Sequence, residues 1–378
     1  MSSKLHIVIA CPGCGMGTSV GNDAIKHARE LSKYFDVSLV SDNFPSNLSA
    51  TVCTKKVSPW RFNWLRRFCH VPNEYAFVRC VYSCLERLHR EQRIDILLCH
   101  GHTLATLVGR HLKQKYGIPY ILATHGDIFD RPKGTYDPLL MAFYKLVTPV
   151  AYRDANLVLA LSPDIAARAI ADGAEKSAVV VVPNGVDPDD IGLDSCPIRI
   201  KLPRCQDNIS PIRLLYVGRF SVEKGIQTLI AACKLLKLRG VIFKLNLIGD
   251  GPLRSQLENM VLVSELSKDI FFLGKLEKKY IGRYYQDADL LCVPSLSEPL
   301  ATVAIEALIA GTLVLGSNIG GTPFILENGK SGVLVPPSSP EAMATAIQKL
   351  TSGSRDMDFL KRPFHKICLY SVFLEFNR

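Results

Sequence analysis

No apolar run in these 378 residues approaches the length of a membrane-crossing helix. The first strand-like stretch, Leu5-His-Ile-Val-Ile-Ala10, is also too short for a signal-peptide core and is expected to enter the fold directly. Twelve cysteines are present but scattered, without the compact spacing of a small secreted disulfide frame. They read as reduced thiols of a cytoplasmic protein. Zinc-finger spacing and RNA-binding signatures are missing, which sets nucleic acid aside as a partner. With 48% hydrophobic and 21% charged residues the chain is globular, and its length suits two α/β domains better than one core.

Apolar, β-rich runs alternate with helical stretches, the pattern of parallel sheets built from βαβ units. Strands are expected at 5–10, 37–40, 95–99, 119–123, 157–161 and 179–183. A second set follows at 213–217, 242–248, 270–273, 289–293 and 312–316. Helices fall between, for example at 22–35, 103–116, 224–238, 252–265 and 301–310. The reading divides the chain into a first domain over 1–187, a connection over 188–212, a second domain over 213–352 and a tail over 353–378. Two Rossmann-like, doubly wound halves facing across a cleft are expected to hold ligands at strand C-terminal ends.

Two carboxylates eight residues apart, Glu298 and Glu306, stand in Ser295-Leu-Ser-Glu-Pro-Leu-Ala-Thr-Val-Ala-Ile-Glu306. The first belongs to a strand-to-helix loop and the second lies about a turn inside the helix. Early acids that merely complement a helix dipole would each contribute about 0.3–1 kcal/mol. Upstream, Leu214-Leu-Tyr-Val-Gly218-Arg219-Phe-Ser-Val-Glu-Lys224-Gly225 is another strand, loop and helix start. A helix N-terminus beside an Arg fork and a Lys point charge suits a diphosphate.

This ordered set resembles the second half of a retaining, sugar-nucleotide-dependent glycosyltransferase of the GT-B fold, glycosyltransferase family 4. The resemblance covers roughly residues 4 to 350. It implies that Arg219 and Lys224 neutralise the donor diphosphate, Glu298 binds hydroxyls of the donor sugar, and Glu306 holds the nucleotide ribose. His125, in Ala123-Thr-His-Gly-Asp127, is implied to contact the transferred sugar. Asn184-Gly-Val-Asp187 resembles the segment closing the first domain. Gly320-Gly-Thr-Pro323 and Asn328-Gly-Lys-Ser-Gly-Val-Leu-Val-Pro336 resemble late turns of the second. Leu300-Ala301 stand where the family has Phe-Gly or a similar pair, and Phe324 stands where it commonly has an acid.

The first turn, Cys11-Pro-Gly13-Cys-Gly15-Met-Gly17-Thr-Ser-Val-Gly21, offers glycines that let backbone N–H groups approach an anion. It does not spell Gly-x-Gly-x-x-Gly, and no acid is placed for a dinucleotide ribose. The resemblance carries this loop to the donor phosphates, with Gly17 and Thr18 as the expected contacts; a purely structural turn is the competing reading. Cys11 and Cys14 form a lone Cys-x-x-Cys with no second zinc-spaced pair. Asp287-Ala-Asp289 most simply ends a helix, and Gly329-Lys-Ser331 is a turn lacking the leading glycine of a P-loop.

Half of the net charge of +10 sits in residues 51–100, where nine basic side chains oppose four acids. Within it, Trp60-Arg-Phe-Asn-Trp64-Leu-Arg-Arg-Phe68 combines both tryptophans with Arg61, Arg66 and Arg67. Such a mixture suits an anionic membrane surface or a lipid-linked acceptor, against packing of the aromatics on the first sheet. Residues 361–378 show no helical period and are interrupted by Pro363, unlike the family's closing helices.

The expected activity is metal-independent hexosyl transfer from a nucleoside diphosphate sugar to an acceptor hydroxyl, with anomeric retention. Polysaccharide, lipopolysaccharide or glycolipid synthesis is the expected setting, in the cytoplasm or on the cytoplasmic membrane face, with no cofactor beyond the co-substrate. A sugar-nucleotide 2-epimerase and a non-catalytic sugar-nucleotide or lipid-binding protein are the alternatives.

Overall fold

The computed structural model describes residues 4–14, 19–44, 51–59, 71–126, 138–193 and 210–351. The chain divides into two compact units, Met1–Val182 and Pro183–Arg378.

The first unit holds a seven-stranded sheet with the order β3-β2-β1-β4-β5-β6-β7. Its strands are β1 His6–Ala10, β2 Asp36–Ser41, β3 Cys53–Lys56, β4 Ile96–His100, β5 Tyr120–Thr124, β6 Leu157–Ala160 and β7 Val179–Val181. Every pairing is parallel. Parallel neighbours need crossovers, and these cover both sheet faces, which is why every residue of β1 is buried and all after His6 are apolar. Side chains alternate between the faces. Val8 and Ala10 join the core beneath the helix Val71–Glu91, whereas Ile9 and Cys11 join that beneath the helix Ser19–Leu31.

The second unit holds a six-stranded sheet with the order β10-β9-β8-β11-β12-β13. These strands are β8 Ile212–Val217, β9 Phe243–Ile248, β10 Ile270–Gly274, β11 Leu290–Val293, β12 Leu313–Ser317 and β13 Val333–Val335. One core, built on Leu214, Leu245 and Leu315, packs the sheet against the helices Ile226–Leu238 and Pro340–Thr351. The short segment 183–193 belongs to this unit: Ile191 is fully buried, and a Cβ at Gly192 would run into the Lys279 carbonyl. Lys278 Nζ adds an ion pair to Asp190 at 3.6 Å.

Both sheets reverse their strand order once, between β1 and β4 in the first unit and between β8 and β11 in the second. The C-terminal ends of the strands at such a reversal are the place where doubly wound sheets bind ligands. The expected fold class, two Rossmann-like α/β halves, is therefore what forms. Strands β3 and β13 were not among the expected elements. β3 reads Cys-Thr-Lys-Lys, lies at the sheet edge and is largely exposed, so it has no apolar pattern to show. β13 is only three residues long.

Candidate functional site

In the second unit, the turn Val222–Lys224 follows β8 and leads into the helix Ile226–Leu238. Gly225 joins turn to helix in the left-handed region at φ 63°, where a Cβ would run into the Pro294 carbonyl oxygen. Only glycine lets this backbone sit so close to the loop after β11. The Leu296 N–H donates to the Glu223 carbonyl at 2.8 Å, which ties the two loops together. Arg219 and Lys224 stand on this frame. Below Arg219, the buried Tyr216 hydroxyl donates to the Arg219 carbonyl at 2.9 Å. The Arg219 side chain is exposed, and among the described residues its guanidinium forms no hydrogen bond or ion pair.

Glu298 lies in the loop between β11 and the helix Thr302–Ile309, as the sequence predicts. Its carboxylate is buried, and Oε2 accepts from both Lys224 Nζ at 2.7 Å and Ser295 Oγ at 2.8 Å. The backbone is fixed as well: the Gly321 N–H donates to the Glu298 carbonyl at 2.8 Å. A Cβ on Gly320, at φ 57°, would strike that same carbonyl oxygen. Gly320-Gly321 thus form the floor under Glu298, a part that sequence resemblance identified only as a turn.

Glu306 occupies the second turn of the helix Thr302–Ile309 and is buried. Its Oε2 accepts from the Tyr285 hydroxyl at 2.8 Å, and its Oε1 lies 3.4 Å from Lys278 Nζ. Burial, then the charge of Glu306, pushes the Tyr285 phenol well above its ordinary range, so it stays a donor. Ser295, Lys278 and Tyr285 had no assigned role in the sequence reading. Ser295 was in the quoted motif; the other two lie in the helical region before β11, too far along the chain for spacing to connect them with Glu306.

The first unit gathers a second group. Asp23 and His27 lie one turn apart on the helix Ser19–Leu31, His100 ends β4, and His125 follows β5. His100 Nδ1 is 2.8 Å from His125 Nε2, and His27 Nδ1 is 3.3 Å from His100 Nε2. His125 Nδ1 lies 3.3 Å from Asp23 Oδ2, off the line of a good hydrogen bond. Burial is the main cause that pushes His27 down to about 4 and His100 well below the ordinary imidazole value. His102, stacked edge-on against Tyr152, is pushed down to about 4 for the same reason. All three are neutral at pH 7.

Cys11 and Cys14 are buried free thiols, and the Gly13 N–H donates to Asp42 Oδ1 at 2.8 Å. Asp289 is buried and accepts from the Arg213 guanidinium at 3.0 and 3.2 Å, which gives the Asp287-Ala-Asp289 segment a structural use. Among the described residues no group of His, Cys, Asp and Glu side chains is arranged to hold a metal ion, and no helix is long and apolar enough to cross a membrane. Gly17 and Thr18, the patch of Trp60, Arg61, Trp64, Arg66 and Arg67, and the tail from 353 lie outside the described residues.

Comparison with known proteins follows the division into two units. Residues 206–362 match the family model Glycosyl transferases group 1, and residues 36–185 match the Glycosyl transferase 4-like domain. The chain is 28% identical over 266 residues to the uncharacterized glycosyltransferase MJ1607 of Methanocaldococcus jannaschii, covering 69% of this chain and 67% of that one. It is also 28% identical over 272 residues to the amylovoran biosynthesis glycosyltransferase AmsK of Erwinia amylovora, covering 70% of this chain and 63% of that relative, so less than two thirds of its length. Among solved structures, sucrose-phosphate synthase from Thermosynechococcus elongatus superposes with a TM-score of 0.72 at 21% identity, covering 94% of both chains. Anabaena Alr3699/HepE, solved in complex with UDP and glucose, superposes with a TM-score of 0.66 at 18% identity, covering 92% of both. At these identities the structural likeness is one of fold.

Proposed function

We propose that this chain, a glycosyltransferase of GT-B fold, moves a sugar from a nucleoside diphosphate donor to an acceptor hydroxyl with retention of anomeric configuration. The observation that carries the reading is the arrangement after β8 and β11. Lys224 and an exposed Arg219 stand in the loop that leads from β8 into the helix Ile226–Leu238, and the buried Glu298 carboxylate is held beside the Lys224 ammonium.

The chemical difficulty is departure of the diphosphate from an oxocarbenium-like centre. Negative charge grows on the leaving oxygens as the glycosidic bond breaks. Arg219, Lys224 and the N-terminal N–H groups of the helix Ile226–Leu238 stabilise that charge. These cations supply the work a divalent metal does in other transferases, so the reaction proceeds without one. Glu298 accepts hydrogen bonds from donor-sugar hydroxyls and positions the sugar; it is not a covalent nucleophile. Glu306, steadied by Tyr285 and Lys278, accepts from the ribose hydroxyls. His125, in the first unit, contacts the transferred sugar, and Gly17 and Thr18 approach the donor phosphates. The departing phosphate assists removal of the acceptor proton, on the same face that the acceptor attacks.

A hexosyl donor and an acceptor in polysaccharide, lipopolysaccharide or glycolipid synthesis fit relatives named for amylovoran biosynthesis and as glycogen synthase. The experiment is a scan of nucleotide sugars for release of nucleoside diphosphate in a membrane extract supplemented with the purified protein. Release with one donor, dependent on extract, supports transfer. Isomerisation of the donor with no acceptor, or a donor left intact across the series, overturns it.

A further inference from the structure

We infer that His100 is a positioning residue for His125, fixing its tautomer and ring plane through a chain of three imidazoles whose polarity is set by Asp23. The inference rests on the reading that gives His125 to the transferred sugar.

The chain is assembled by topology. His100 and His125 leave the C-terminal ends of the adjacent strands β4 and β5, in which His100 pairs with Ala123. Asp23 and His27, four apart on the helix after β1, share one helix face. The His100 and His125 rings lie nearly parallel, at 22°, with centroids 5.1 Å apart, and the His27 ring is 5.3 Å from that of His100. His100 is fully buried, and each of its ring nitrogens meets a nitrogen of another imidazole.

A neutral imidazole carries one N–H and one acceptor nitrogen, so a line of three can run in only two directions. In one, His27 Nδ1–H donates to His100 Nε2 and His100 Nδ1–H donates to His125 Nε2. His125 then carries its proton on Nδ1, 3.3 Å from the Asp23 carboxylate and attracted to it by charge, though off the line of a hydrogen bond. In the other, the lone pair of His125 Nδ1 faces that carboxylate, an arrangement electrostatics disfavours strongly at a largely buried site. Asp23 therefore selects the first direction. Among the described residues, the titratable groups around the chain are Asp23, Lys26 and His102, of which Asp23 is the carboxylate. Burial keeps His27 and His100 neutral, which preserves the alternation of donor and acceptor.

The consequence for His125 is specific. Its Nε2 is an acceptor already engaged by His100, so the ring is a fixed, polarised surface and not a mobile proton carrier. Loss of the His100 donor frees the ring to flip and to change tautomer.

Nitrogen-15 spectra of the histidine side chains in the full chain read the tautomers directly, with no reference to turnover. The native protein is expected to show the Nδ1–H form at His100 and at His125. His100→Phe, which keeps ring volume without a donor, is expected to mix the His125 tautomers. It should also lower kcat by about ten- to a hundredfold, the usual cost of losing an orienting partner. His100→Asn, whose side-chain amide reaches the place of Nδ1, is expected to restore the His125 tautomer and most of kcat. Asp23→Asn provides a second variant should His100→Phe fail to fold, and it should loosen the same tautomer preference. An Nε2–H form at His125 in the native protein, or tautomers indifferent to Asp23 and His100, overturns the inference. Unchanged transfer by His125→Ala would remove the functional reading of His125 instead, while the spectra still decide whether the chain exists.

Discussion

Lys224 Nζ lies 2.7 Å from Glu298 Oε2, so the cation assigned to the donor phosphates and the carboxylate assigned to the donor sugar hold one another in the free protein. Seventy-four residues separate them in sequence. The pair forms because the loops after β8 and β11 meet at the strand-order reversal, with Gly225 pressed on the Pro294 carbonyl. Breaking such a pair by removing one partner leaves a buried charge uncompensated, which is strongly unfavourable. Under the proposed roles, a donor would have to satisfy both groups at once, its phosphate replacing the carboxylate at Lys224 while its sugar hydroxyls reach Glu298.

Replacing Arg219 or Lys224 by Ala is expected to lower kcat/KM by about 10²–10³-fold, the loss seen when one stabiliser of a developing oxyanion is removed. Steady-state kinetics with the native donor, run with and without a chelator, check this. Near-native turnover in both variants, or complete loss with chelation, contradicts the roles given to these cations.

The two glutamates separate in binding. Glu306→Gln is expected to weaken free nucleoside diphosphate and intact donor alike, because the proposal gives Glu306 to the ribose and because Lys278 and Tyr285 lose their charged partner. Glu298→Gln releases Lys224, so affinity for the bare diphosphate should stay equal or rise while transfer falls. Titration calorimetry with nucleoside diphosphate decides; abolished binding in Glu298→Gln contradicts the division.

Acid should destabilise the first unit through its buried histidines. His27 and His102 are held at about 4 in the fold, below their ordinary 6.5. Between those values the unfolded chain takes up protons that the folded one refuses, so stability is fully present above about pH 6.5 and falls as pH drops toward 4. Urea unfolding followed across that window is expected to show a falling midpoint. His102→Phe, which can keep the edge-on contact with Tyr152, should make the fall shallower; an unchanged slope contradicts the cause.

The basic stretch over 55–93 is expected to bring the enzyme to anionic vesicles if the acceptor is lipid-linked. Each basic residue near such a surface contributes about 1 kcal/mol, screened over a Debye length of about 8 Å at physiological salt. Binding should fall steeply with added salt, and Arg61, Arg66 and Arg67 changed together to Ser should weaken it without altering donor hydrolysis. Equal binding to neutral and anionic vesicles points instead to a soluble acceptor.

The fold was legible because its central strands are fully buried on both faces and so announce themselves as apolar runs, as Leu290–Val293 does. The exposed edge strand Cys53–Lys56 had no such reason to be apolar. The loop carboxylates were legible from their spacing and order, and Glu298 falls in the loop and Glu306 in the helix as read. What the sequence did not show was which residues touch them. The partnership of Glu298 with Lys224, and of Glu306 with Tyr285 and Lys278, depends on strand order in three dimensions. The imidazole chain is similar: His27, His100 and His125 are far apart in sequence, and only parallel crossovers bring their ends together.

The stereochemistry of the transferred sugar tests the central claim most directly. With the donor and acceptor in hand, proton NMR of the product glycoside reads its anomeric coupling against that of the nucleoside diphosphate sugar. The account predicts the same anomeric configuration in product and donor, with nucleoside diphosphate released in equal amount and activity retained in chelator. An inverted product, or a donor that is isomerised without any glycoside formed, contradicts it.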